Sequence, residues 1–124
     1  MYLLDTNAII YYIDDVPSVV QVIEDIVAQE VPVYVSTLTE LELFSYSALT
    51  EADEARIDAV LATVRVVPLI SRIARIAGDL RRLSPRLKTA DSAIAATALF
   101  TNSTLVTRNV QDFKRIDTLR VLQI

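Results

Sequence analysis

The chain contains no histidine, no cysteine and no tryptophan, and only one glycine, Gly78, in 124 residues. Each absence closes off a class of chemistry. Without histidine or cysteine there is no Ser-His-Asp or Cys-His nucleophile, and no zinc site of the usual ligand type. A single glycine cannot build a P-loop or a dinucleotide-binding turn. No apolar run approaches the roughly 20 residues of a membrane-spanning helix. The residues before Asp5 include no basic region, so no signal peptide is expected. With no cysteine to oxidise, the cytoplasm is the expected compartment. Carboxylates, hydroxyls, amides, lysines and arginines remain. Carboxylates without histidine suit hard, oxygen-seeking cations such as Mg²⁺ or Mn²⁺.

What is present is a packing composition. Apolar residues make up 52% of the chain and charged residues 23%, which predicts one domain over residues 1–124 and no long disordered arm. The net charge of −4 argues against a surface that coats nucleic acid electrostatically. It leaves room for a local basic groove.

Strand and helix signals alternate along the chain. "YLL" (Tyr2 to Leu4) reads as a short buried strand, followed by a helix over about Asn7 to Ile13. Pro17 opens a second helix that runs to Ala28, since proline suits a first turn. "VPVYVS" is β-branched and reads as a strand ending near Ser36. Thr37 to Leu49 reads as helix, and Thr50 caps the next one, "EADEARIDAVLATV", whose early acids suit the helix dipole. "VRVVPL" is a third strand and Ile70 to Leu83 a helix that Ser84-Pro85 ends. Thr89 to Phe100 is alanine-rich helix, "TLVT" a fourth strand and "LRVLQI" a fifth at an edge. Strands separated by helices need crossover connections. The expected fold is therefore a three-layer α/β/α arrangement with a mostly parallel central sheet of about five strands.

In such a sheet ligands sit beyond the carboxyl ends of the strands. Acids fall there repeatedly. Asp5 follows the first strand, and Asp91 lies in the first turn of the alanine-rich helix. Asn109 and Asp112 follow "TLVT", and Glu40 and Glu42 lie in the helix after the second strand. Taken singly, Asp5, Asp91 and Asp112 read equally well as helix caps or first-turn acids. Taken together, carboxylates converging on one edge repel unless a cation or protons offset them. Glu40 and Glu42 differ by about 200° around a helix, and both flank its apolar stripe, so periodicity alone favours Glu42 only weakly.

Four segments in series resemble the PIN domain, in particular the small VapC-like toxin ribonucleases of toxin–antitoxin pairs. They are "LLDTNAII", "VSTLTELELF", "TADSAIAATAL" and "LVTRNVQDF", and together they span nearly the whole chain. By this resemblance the site acids are Asp5, Glu42 and Asp91, with Asp112 as the fourth carboxylate. Asn109 stands where many members carry aspartate, so the second metal position lacks one negative charge. Thr6, Asn7 and Thr107 would orient the carboxylates.

The resemblance implies hydrolysis of RNA phosphodiesters with Mg²⁺ or Mn²⁺, a homodimer, and inhibition by a cognate antitoxin protein. Arg72, Arg75, Arg82 and Arg86 recur at near-helical spacing, with Arg81 and Lys88 close by. They fit RNA phosphates, an acidic antitoxin segment or a solvated helix face. Arg108, next to the acidic edge, is the single cation expected to touch substrate. Rival readings are a PIN-fold RNA-binding or regulatory module with a weakened metal site, and a DNA nuclease. A phosphoacceptor or phosphatase domain would need a second acid beside the first, where this chain reads "DTN".

Overall fold

The computed structural model describes all 124 residues. Five strands are present: β1 (Tyr2–Leu4), β2 (Val33–Ser36), β3 (Arg65–Val67), β4 (Thr104–Thr107) and β5 (Val121–Gln123). They form one sheet in the order β3-β2-β1-β4-β5, and every neighbouring pair is parallel. The helices are α1 (Thr6–Ile13), α2 (Pro17–Ala28), α3 (Thr37–Phe44), α4 (Glu51–Leu61), α5 (Ser71–Leu83), α6 (Thr89–Phe100) and α7 (Val110–Phe113). No helix is long and apolar enough to cross a membrane.

The layers follow from the two-residue period of a strand. On β1, Leu4 joins Ile9, Val19, Ile23 and Ile57 in a core beneath α1, α2 and α4. Its neighbour Leu3 points the other way and packs with Ile94, Ala95 and Ala98 of α6. On β4, Val106 and Leu105 divide between the same two cores. Each fully buried Leu or Ile contributes about 1.5–3 kcal/mol. Between them these alternating pairs hold a helical layer on each face. Helix α5 packs mainly against α6, through Ile73, Ala77 and Ala96. Helix α6 is therefore sandwiched, and residues 92–98 are all buried. Alanines there let the backbone approach both neighbours.

The expected bounds of α2 and α6 hold, as do the five-stranded parallel sheet and the edge position of β5. Thr50 caps α4 through a reciprocal capping box with Asp53. Helix α3 is shorter than the predicted Thr37–Leu49 span. Its last turn closes at Ser45, whose hydroxyl donates to the Leu41 carbonyl at 2.6 Å, and Tyr46 beyond it is 70% exposed. The four-residue α7 was not expected. With one glycine in the chain, several turns are made by other residues. Asp15, Glu30 and Asn102 all adopt positive φ near 55°, the left-handed conformation that usually favours glycine after a helix.

Candidate metal centre

The sheet reverses its winding between β1 and β4. The chain steps outward from β1 to β2 and β3, then returns to place β4 on the other side of β1. Crevices form at such switch points, outside the carboxyl ends of the two strands. Asp5 is the residue after β1. It is buried, 7% exposed, and its Oδ1 accepts the Ala8 amide at 2.8 Å. Asp5 is thus a helix cap as well as a member of the pocket.

That pocket has a volume of about 110 Å³ and is lined by Asp5, Asn7, Glu42, Asp91 and Asn109, among others. Its acids come from separate parts of the chain: the β1–α1 junction, α3 and the first turn of α6. Glu42, not Glu40, is the glutamate that lines it. Thr6 selects the orientation of Glu42, its hydroxyl donating to Oε1 at 2.7 Å. The same hydroxyl lies 3.2 Å from that of Thr39. On the β4 side, the Thr107 hydroxyl accepts the Asn109 amide at 3.0 Å, which fixes the turn carrying Asn109.

The electrostatics of the pocket favour a positive guest. Burial pushes the Asp5 carboxyl above the ordinary carboxylate range, and the Glu42 charge adds to the rise. The Thr107 hydroxyl and the Ala8 amide pull against it. Asp91 is also raised, first by burial and then by repulsion from Asp112, with smaller contributions from Glu42 and Asp5. Only Lys88 among its charged neighbours opposes the rise. The acids therefore sense one another across the site.

No three acidic side chains are closed into a finished cation cage. The donor set is nevertheless the right one for a hard cation: carboxylate oxygens, supplemented by the amides of Asn7 and Asn109. Mg²⁺ characteristically keeps several waters and takes only one or two carboxylates directly. A 110 Å³ cavity leaves space for an ion with part of its hydration shell.

Asp112 lies elsewhere. It and Asp91 line an adjoining cleft that neither Asp5 nor Glu42 reaches, so Asp91 stands at the boundary of two cavities. Arg108 does not line the pocket. Its guanidinium stacks on the Tyr11 ring, 4.2 Å from the centroid, and its Nε donates to the Ile124 carbonyl at 3.3 Å. Tyr11, Tyr12 and Ile13 pack against the core. Asn109 brings an amide rather than a carboxylate to the pocket, and its place two residues beyond β4 is the signal that finds it.

An acidic, oxygen-only pocket at the switch point of a parallel sheet is the arrangement of an acid-cluster α/β domain. The PIN domain family profile matches residues 2–119, and the chain belongs to that family. It is 29% identical over 126 residues to Ribonuclease VapC2 of Rickettsia felis, covering 96% of this chain and 94% of the relative. Among solved structures it is similar to VapBC2 from Rickettsia felis bound to a DNA fragment from their promoter. That match has a TM-score of 0.87 at 27% identity and covers 99% and 98% of the two chains. A toxin–antitoxin complex from Klebsiella pneumoniae matches with a TM-score of 0.81 at 28% identity, over 100% of both chains.

Proposed function

We propose that this chain is a divalent-metal-dependent ribonuclease, and that it is the toxin of a toxin–antitoxin pair, with residues 1–124 acting as one PIN domain. One observation carries the reading: Asp5, Glu42 and Asp91, far apart in sequence, line a single pocket where Asp5 and Asp91 both resist ionisation. Carboxylates brought together at that cost call for a cation. The names of the relatives agree with the reading.

Asp5, Glu42 and Asp91 would hold Mg²⁺ or Mn²⁺, directly or through water, with Asn109 as a neutral oxygen donor. Asp112 assists from the adjoining cleft, by its charge on Asp91. When bound, the ion supplies charge neutralisation at the scissile phosphate and a more acidic water. The protein's own tasks are positional. Thr6 fixes Glu42, the Ala8 amide fixes Asp5, and α6 holds Asp91 on a rigid, buried helix. No side-chain nucleophile is required, in keeping with a chain that has neither histidine nor cysteine. An antitoxin protein and a second copy of the chain are the expected partners, and the cytoplasm the expected compartment.

Asn109 favours a second reading, a PIN-fold module that binds RNA without cleaving it. Incubating a mixed RNA pool with the purified protein separates the two. Cleavage is expected with Mg²⁺, and none with EDTA or with Asp5→Asn. Equal cleavage by wild type and Asp5→Asn would refute the assigned site, and RNA binding without metal-dependent turnover would favour the module.

A further inference from the structure

The cleft beyond Asp91 has the opposite electrostatic character to the pocket. Arg86 and Lys88, from the α5–α6 connection, and Lys114 and Arg115, just after α7, line a cavity of about 260 Å³ with Asp91 and Asp112. Four cations against two anions leave a local excess of two positive charges, in a chain whose net charge is −4. None of the four is ion-paired, since the one salt bridge of the molecule joins Arg82 to Asp79. Like charges gathered without partners repel one another, and such a cluster concentrates anions from solution.

The cleft is also built rather than incidental. Leu87, between Arg86 and Lys88, is buried. Its carbonyl accepts from Arg81 Nε at 3.0 Å, and its amide donates to the Ser84 carbonyl at 2.9 Å. The two cations are therefore mounted on a pinned connection. Across the cleft, buried Phe113 and Ile116 anchor the segment that carries Lys114 and Arg115. Asp91 belongs to both cavities, so the cationic cleft begins where the carboxylate pocket ends.

We infer that this cleft holds the phosphodiester backbone of the RNA next to the scissile bond, with Arg86, Lys88, Lys114 and Arg115 contacting its phosphates. The inference rests on the ribonuclease reading above. A metal-binding pocket neutralises one phosphate, and a polymer presents another at every nucleotide. Lysine and arginine contacts to phosphate set register without reading sequence, and binding energy gained there is uniform, held alike in the ground and transition states. An acidic peptide matches the charge but not the lining. Only Leu87 and Ile116 are apolar, too little to bury the side chains of a docked protein segment.

Fluorescence anisotropy with a short labelled RNA oligonucleotide in EDTA, across a salt series, tests the cleft independently of cleavage. Each single-strand phosphate contact contributes a slope of about 0.7 to the dependence of log affinity on log salt. The triple variant Arg86→Gln/Lys114→Gln/Arg115→Gln should therefore lose about 2 from the slope. With Mg²⁺ present its KM should rise about tenfold with little change in kcat, as for lost ground-state binding. Arg56→Gln/Arg65→Gln/Arg120→Gln, with the same change in charge, should keep the wild-type slope and KM. An unchanged slope in the first variant, or an equal loss in both, overturns the cleft even if the wild type cleaves RNA. Failure of the wild type to cleave any RNA with any divalent metal strikes the ribonuclease reading instead, and the anisotropy result still judges the cleft.

Discussion

The Thr6 hydroxyl reaches across 36 positions of sequence to donate to Glu42 at 2.7 Å. This bond joins the turn after β1 to α3 and orients one of the three pocket acids. Thr6→Val keeps the shape and removes the donor. Loss of a group that orients a metal ligand typically costs 10–100-fold in affinity or activity, so RNA cleavage should fall by about that factor. Thr6→Ser should restore most of it. Wild-type turnover in Thr6→Val would show that Glu42 needs no such support.

The raised Asp5 and Asp91 carboxyls have a consequence for stability with a definite sign. Both lie above the ordinary value near 3.8. Between that value and the raised one, the folded protein holds more protons than the unfolded chain. Stability therefore falls as pH rises through this window. At neutral pH the metal-free protein carries both charges at a cost. Asp91→Asn should raise its melting temperature at pH 7, and the advantage should vanish below about pH 4, where both forms are neutral. A lower melting temperature for Asp91→Asn at pH 7 would contradict the assignment.

Activity should show the same shifts, because a ligating carboxylate must be deprotonated. The acid limb of the pH–rate profile should lie above the usual carboxylate range. Lys88 is the one charge that favours ionised Asp91, so Lys88→Gln should move the limb to higher pH. A limb that stays in place would remove Asp91 from the rate-limiting ionisations.

Metal addition should stabilise the fold. A ligand present at 100 times its dissociation constant adds about 2.7 kcal/mol. Thermal melting with and without saturating Mn²⁺ should show a clear rise for wild type and none for Asp5→Asn. Asn109→Asp adds a carboxylate to the same pocket. It should bind Mn²⁺ more tightly than wild type yet melt at a lower temperature in EDTA, since the new charge has no partner there. Titration calorimetry and melting curves check the two halves separately.

Glycine usage offers a test of the scaffold. Gly78 lies inside α5, and a Cβ there would meet nothing within 4 Å. Gly78→Ala should stabilise the protein by about 0.5–1 kcal/mol. Glu30 has φ of 56°, a conformation costing a side-chain-bearing residue about 1 kcal/mol. Glu30→Gly should be neutral or stabilising. By contrast Ala95, fully buried in the core, should not tolerate enlargement. Ala95→Leu should cost about 1–3 kcal/mol by overpacking. Urea unfolding measures all three.

How far the sequence foretold the molecule depends on the range of the interaction concerned. The cap at Thr50 and the bounds of α6 are local, and both were legible. The expected extension of α3 to Leu49 failed because Leu41, Ser45 and Leu49 keep a four-residue spacing after the helix has ended. Leu49 still packs against the core, but by way of a turn. Helix α7 is too short to show any period. The choice of Glu42 over Glu40 is only weakly marked by periodicity, since the partner that orients Glu42 is the distant Thr6. Asp112, only three positions from Asn109, lines the adjoining cavity and acts on the pocket through its charge on Asp91, a placement that its position in the sequence does not show.

The central position of β1 has a consequence for synthesis. Asp5 leaves the ribosome 86 residues before Asp91 and 104 before Asn109. β1 also lacks one of its two hydrogen-bonded neighbours until β4 has been made. The nascent chain therefore carries isolated acids until α6 and the turn after β4 have been made, and the pocket comes into being only then. A nuclease arranged in this way has no assembled site to turn on the messenger producing it until β4 has paired with β1.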